Sequence, residues 1–216
     1  MEELEIAYRY APIIKFDVRE PFFPVRIGYT IFNKSDESLS FPRTVEVPSG
    51  TTAIEYAIYW DWDIGHLYEL EHVWVYVKSG KVTKVEASWH GGFNLMSDTE
   101  FESTHPILYS QPGKHAFAST PKAFEPRRIF AFPCGRKMAG IDGLLITRIF
   151  EGKIRKNPED DSLVLSYLRK FSFSPAFEFT KEFKIEKDLL VPWQQLYCWI
   201  PERIKLWMSK LRKEKR

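Results

Sequence analysis

A mostly β protein is predicted here, a single-domain and predominantly antiparallel β-sandwich with a C-terminal amphipathic helix, and three observations carry that expectation. Short runs rich in β-branched and aromatic residues recur along the chain, each bounded by Pro, Gly, Ser or Asp. One of them, "VYVKSGKVTKVEA", has the form of a β-hairpin in which Ser79 and Gly80 supply the positive φ angles of a tight turn. Helical periodicity is clear in two stretches only, both in the last third of the chain.

In chain order the β-like runs are "RYAPIIKFD", "EPFFPVRIGYTIF", "TTAIEYAIYWDW", "EHVWVYVKSGKVTKVEASWHGG", "HPILYSQPGKHAFA", "RIFAF", "LLITRIF" and "AFEFTKEFKIE". The first helix signal is "DDSLVLSYLRKF", Asp160 to Phe171. The second, "IPERIKLWMSKLRKEKR", starts at Ile200 and puts Pro201 at a permissible first-turn position. In it Ile204, Trp207, Met208 and Leu211 recur at helical spacing, with Arg203, Lys205, Lys210 and Arg212 between them. Such a stripe reads as a helix docked on the sheet; contact of this basic helix with an anionic membrane is the less favoured alternative. No repeat and no Gly/Ser linker divides the chain, so residues 1–216 are expected to form one domain ending in a basic tail over about 209–216.

The composition suits a globular protein with a large core: 44% hydrophobic, 16% aromatic and 28% charged, with 7 Trp, 17 Phe and 10 Tyr in 216 residues. A net charge of +2 gives no global field for nucleic acid, and no nucleic-acid partner is expected. The opening "MEELEIAYRYAPIIKF" is acidic and lacks the basic and apolar regions of a signal peptide, and no apolar run reaches the length of a membrane span, so a cytoplasmic location is expected. Cys134 and Cys198 suit free thiols in a reducing compartment, although one bridge remains open. Neither "SWHGGF" nor "PCGRKMAG" has the spacing of a nucleophile elbow or a phosphate loop. Cys134, beside Gly135-Arg136-Lys137, reads as a structural cysteine rather than an activated thiol. Nothing in the sequence sets an oligomeric state.

The segment "YWDWDIGHLYELEHVWVYV", Tyr59 to Val77, breaks the pattern of an apolar strand. By strand alternation Glu69 and Glu71 share a face with Val73, Val75 and Val77, while Leu70, His72, Trp74 and Tyr76 share the other. If the valine face is the core, Glu71 sits at its rim and requires either a partner or a proton. One such partner is a divalent cation held with Asp61, Asp63 and His66 of the Gly-containing "DWDIGH" loop. An arginine, such as Arg127, Arg128 or Arg148, is the other.

The same segment resembles the central part of the necrosis- and ethylene-inducing-like proteins, whose heptapeptide runs G-H-R-H-D-W-E and is followed by a histidine and an apolar strand. Gly65, His66, Glu71, His72, Val73 and Val75 stand as that pattern requires, whereas Leu67, Tyr68, Glu69 and Leu70 replace its Arg, His, Asp and Trp. The resemblance implies a divalent-cation site, Ca or Mg, on Asp63, His66, Glu69 and Glu71. "LLVPWQQLYCWIPERIKLWMSKL" is similar in layout to that family's closing strand, tryptophan and helix. "RYAPIIKFDVREPFFP", "SWHGG" and "HPILYSQPGKHAFA" resemble vacuolar-sorting-type proteins with a D-W-E segment and a G-S-H-A step, Lys114 standing where those have Ser. That second resemblance draws in His90 and His115; if they converge on His66, the site shifts toward Zn, Mn or Fe.

Three functions follow. The leading one is a metal-organised cleft that recognises a small polar ligand, glycan-like or phosphorylated, as the resemblance to lipid-glycan binders implies. A metal-dependent hydrolase with a metal-activated water and Glu69, His90 or His115 as general base is the alternative. The third is an interaction protein whose ion site is purely structural.

Overall fold

The computed structural model describes residues 2–214, so the last two residues of the basic tail lie outside the described residues. In chain order the elements are α1 (Glu3–Arg9), β1 (Ile13–Phe16), β2 (Arg26–Phe32), β3 (Asp36–Glu37), β4 (Thr44–Val45), β5 (Thr51–Trp62), β6 (His66–Lys78), β7 (Lys81–Trp89), β8 (Gly92–Leu95), β9 (Glu100–Glu102), β10 (His105–Ser110), β11 (Phe117–Ala118), α2 (Arg127–Ala131), β12 (Gly143–Leu144), α3 (Asp160–Leu168), β13 (Lys181–Lys184), β14 (Leu190–Pro192) and α4 (Trp193–Glu214). A seven-stranded sheet runs β14-β2-β5-β6-β7-β8 with β12 beside β6, and a five-stranded sheet runs β11-β10-β1-β13 with β9 beside β10. Most pairings are antiparallel, but β1 with β10, β14 with β2 and β12 with β6 are parallel. The protein is thus mostly β, with the sheets sharing one core: Ile14, Phe16, Leu108 and Phe117 of the smaller sheet join Ile54, Tyr56, Ile58, Val73 and Val75 of the larger.

The hairpin at Ser79-Gly80 forms with φ angles of 49° and 77°, as its turn chemistry requires. Two β-like runs form other structure: "RIFAF" is largely the helix α2, and in "LLITRIF" only Leu144 lies in the two-residue strand β12, before a single 3-10 turn at Arg148–Phe150. Their local β propensity is overridden because neither run finds a long strand edge to pair with. The last helix also begins earlier than its local signals indicate. It starts at Trp193, which puts Pro201 in the helix interior rather than the first turn, where it has no N–H to donate to the preceding turn. Packing decides this: a Cβ added at Gly28 of β2 would lie 2.9 Å from Leu196 and 3.1 Å from Trp193, so the extra turns of α4 dock directly on the sheet backbone. Ile204, Met208 and Leu211 are buried, which makes the apolar stripe a docking face. Asp61 accepts two hydrogen bonds from Arg203, at 2.8 and 2.7 Å, and ties α4 to the end of β5.

The strands β5 and β6 are buried along most of their length on both faces. On the face away from the smaller sheet, Phe32, Val45, Ala53, Trp74 and Tyr76 form a second core beneath the segment that carries β3 and β4. Its polar centre is fully bonded on one side: Glu55 accepts from Trp74 Nε1 at 2.7 Å and from the Ser40 hydroxyl at 2.7 Å. Ser40 gives its only proton to Glu55, so at 2.9 Å it accepts one from His72 Nε2, which fixes the neutral tautomer of that ring. Burial lowers the His72 pKa to about 3. Both cysteines are free, Cys134 buried and Cys198 exposed. No helix among the described residues is long and apolar enough to cross a membrane.

Two outcomes are expected. Arg203→Met should cost about 2 kcal/mol in urea unfolding by leaving the Asp61 carboxylate buried and alone, and adding Asp61→Asn should restore most of the loss. His72 stays neutral in the fold while the unfolded chain protonates near pH 6.5, so its contribution is complete above pH 6.5 and declines toward pH 3 by about 1.4 kcal/mol per unit. His72→Gln, which keeps a donor toward Ser40, should flatten that part of the stability profile measured by denaturation at stepped pH.

Candidate functional site

The site is built at the tip of the central hairpin. Between β5 and β6 the chain turns in two residues, closed by Asp63 N to His66 O at 3.1 Å and His66 N to Asp63 O at 3.3 Å. The tip is stitched between two loops. Ile64 N donates to Gly113 O at 2.8 Å, while Gly140 N and Asp142 N donate to Ile64 O and Gly65 O at 2.8 and 2.9 Å. These bonds bring Lys114 and Asp142 over the turn from distant parts of the chain. Gly65 lies close under these charged groups: a Cβ there would meet Asp142 Oδ2 at 2.7 Å, Asp63 Oδ1 at 3.1 Å and Lys114 Nζ at 3.3 Å, so a side chain would displace their ends.

Asp63, His66 and Glu69 each offer a ligand atom within 4.8 Å of the others. His66 Nδ1 faces the carbonyl of Tyr68 at 2.8 Å, and a carbonyl only accepts, so Nδ1 carries a proton. Nε2 faces Asp63 Oδ1 and Glu69 Oε2, each 3.5 Å away: as the imidazolium it pairs with both carboxylates, and as the neutral ring it presents a lone pair to them. A lone pair facing two carboxylates is repulsive until the ring gains a second proton or a cation enters. Tyr68, at φ 56°, shapes this arrangement by turning its carbonyl to the ring, and its hydroxyl is anchored to Thr147 Oγ1 at 2.8 Å. Asp63 is fully buried, and its Oδ2 has no hydrogen-bond partner among the described residues.

Lys114 supplies the competing positive charge. Its ammonium donates to Asp63 Oδ1 at 2.6 Å. Burial works against that ammonium, but Asp63, Glu69 and Asp142 together hold its pKa above the usual value. Burial likewise pushes the Asp63 pKa up, and His66, Lys114 and His115 outweigh it, leaving the carboxyl below its usual range.

Glu71 lies on the same strand face as Glu69 and Val73, paired across the sheet with Ile58, but its carboxyl is not one of the three clustered donors. It accepts a hydrogen bond from the Ser88 hydroxyl, and among the described residues no arginine pairs with it. Burial first, then the neighbouring Glu69, drives its pKa well above the usual carboxylate value. His115 is fully buried, stacked on Trp60 at 4.7 Å and 3.4 Å from Glu20 Oε1. His90 Nε2 donates to Gln111 Oε1, 2.8 Å away, and so touches the same loop as Lys114 without entering the cluster. Asp61 is committed to Arg203, and His72 lies on the opposite sheet face with Ser40. Lys114, Asp142, Ser88 and Glu20 carry no local sequence signal for these roles. Each becomes relevant only when loops separated by tens of residues meet at the hairpin tip.

No protein-family model matches the chain. No curated protein matches it either. Three solved structures are similar to it. A mutant of NLPPya is 17% identical with a TM-score of 0.39, over 54% of this chain and 66% of that one. Necrosis and Ethylene inducing Protein 2, from the causal agent of cocoa's Witches Broom disease, is 19% identical with a TM-score of 0.37, over 56% of this chain and 68% of that one. NLPPya in complex with mannosamine is 16% identical with a TM-score of 0.39, over 54% of this chain and 65% of that one. The likeness thus spans little more than half of this chain and about two thirds of each of those.

Proposed function

We propose that the hairpin tip binds a divalent cation through Asp63, His66 and Glu69, and that the cation organises recognition of a small polar, glycan-like ligand. The observation that carries this reading is the pre-set His66 ring: its Nδ1 proton is committed to Tyr68, and its Nε2 faces two carboxylates with nothing between them. The unpartnered Oδ2 of Asp63 adds a donor already stripped of water. The two carboxylates are ligands that Ca, Mg or Mn take, while the single imidazole also admits Zn or Fe; His90 and His115, which would strengthen the preference for Zn, Mn or Fe, are bonded elsewhere. One nitrogen and two carboxylates fill fewer than the six or more positions of a Ca or Mg shell, so further positions remain for ligand hydroxyls, and Glu69 and Lys114 retain the partial exposure through which a ligand enters. Glu71, in this reading, lies behind the ligand set as a buried carboxyl held by Ser88.

The second reading is that Lys114 itself is the resident cation and the cluster is structural, favoured by its 2.6 Å bond to Asp63. A hydrolytic role would need the same cation and a base; no further observation favours it.

The two readings separate in one experiment. In Lys114→Ser, melting in chelator should drop, and added Ca or Mg should restore it, a gain of about 2.7 kcal/mol when the ion is present at a hundred times its dissociation constant. Asp63→Asn should bind no ion by calorimetry. If neither the natural chain nor Lys114→Ser responds to Ca, Mg, Mn or Zn, the ammonium is the only cation of the site and the binding reading fails.

A further inference from the structure

Lys114 and a divalent ion compete for Asp63. The ammonium donates to Asp63 Oδ1 at 2.6 Å, and the same oxygen faces His66 Nε2 at 3.5 Å inside the donor cluster. An ion held there would stand within a few ångströms of the ammonium, where burial strengthens the repulsion between like charges. Ion entry therefore requires Lys114 to leave Asp63.

The place it would go to is set by elimination and by geometry. Three carboxylates hold the charge of this ammonium, those of Asp63, Glu69 and Asp142. The first two are the ligands that the ion would take, which leaves Asp142. Its position is fixed by backbone: Asp142 N donates to Gly65 O at 2.9 Å, Gly140 N donates to Ile64 O at 2.8 Å, and Gly143 pairs with His66 in the register of β12 and β6. Its carboxylate is exposed, and among the described residues it makes no hydrogen bond or ion pair, so it stays hydrated until an ammonium arrives. Asp142 Oδ2 and Lys114 Nζ lie 2.7 and 3.3 Å from one point above Gly65, the position that a Cβ would occupy. Gly65 puts no side chain between them, and rotation about the flexible four-carbon stem of the lysine carries the ammonium from one carboxylate to the other.

On the reading that Asp63, His66 and Glu69 hold a divalent ion, we infer that Asp142 sets its affinity: as the ion enters, Lys114 exchanges Asp63 for Asp142. The ammonium is a built-in competitor, and the second carboxylate draws it aside. Asp142 touches neither the ion nor its ligand; it is a positioning residue that acts through Lys114. Its loss therefore weakens ion binding only while Lys114 is present. A carboxylate that merely added negative potential near the ion would weaken binding equally with or without the lysine.

The test is calorimetric titration of Ca and of Mg into the natural chain, Asp142→Asn, Lys114→Ser and the double variant at one ionic strength, with a thermal melt of each. Lys114→Ser should bind the ion at least about tenfold more tightly than the natural chain. Asp142→Asn, which keeps the backbone bond to Gly65, should weaken binding by about fivefold, and Asp142→Glu should recover part of that loss. In the Lys114→Ser background the Asp142→Asn substitution should change the affinity by less than about twofold. Lys114→Gln, which leaves Asp63 a neutral donor, replaces Lys114→Ser if that variant does not fold. Equal losses from Asp142→Asn in both backgrounds, or no gain on removing the ammonium, would overturn the exchange and leave the ion site standing. If neither the natural chain nor the lysine variants bind Ca, Mg, Mn or Zn, the ion reading falls and the exchange falls with it.

Discussion

The strands β5 and β6 are covered on both faces, and that constraint governs the rest of the molecule. A strand exposed on one side can send its polar side chains to water. These two cannot, because the smaller sheet lies over one face while α4 and the Ser38–Val47 segment lie over the other. Every acid and histidine on them must therefore be satisfied inside the protein. Glu55 finds Trp74 and Ser40, Asp61 finds Arg203, Glu71 finds Ser88 and Asp63 finds Lys114.

Those partnerships differ in how complete they are, and the differences locate function. Glu55 has a donor on each oxygen and Asp61 is held bidentately, so both read as structural. Asp63 has donors on one oxygen only, and His66 and Glu69 beside it face one another without a proton donor between them. In a protein interior such a deficit of positive charge is resolved by protonation, by an ammonium or by a metal ion. Lys114 covers part of the deficit from one side, which makes this lysine the residue on which the choice between a structural and a binding site turns.

The same double cover leaves surroundings of opposite character on the two sides of Glu69. Toward Asp63 the surroundings are charged and tight. Toward Leu70 and His72 they are apolar and roomy, because the Ser38–Pro42 segment bridges the sheet without filling the space beneath it. The positive φ of Tyr68 contributes to both: its carbonyl orients His66, and its hydroxyl pins Thr147 beside Arg148.

From the sequence by itself the β-rich class, the Ser79-Gly80 hairpin, the docked terminal helix and the concentration of acids and histidines between Asp61 and His72 could all be read. These are local properties: alternation, turn chemistry and helical spacing are written over a few consecutive residues. The carboxylates Glu69 and Glu71 could even be assigned to the valine face, since strand alternation is a covalent consequence of the backbone. What only the tertiary structure decided is which charges meet. Glu71 turned to Ser88, Asp61 to an arginine 142 residues away, and His115 to Trp60 and Glu20, while Lys114 came to Asp63 from 51 residues on. The fate of "RIFAF" and the early start of α4 at Trp193 were settled in the same way, by which surfaces were left to cover. Coulombic partnership and surface coverage depend on distance in space, and a chain of 216 residues does not encode that distance in any short window.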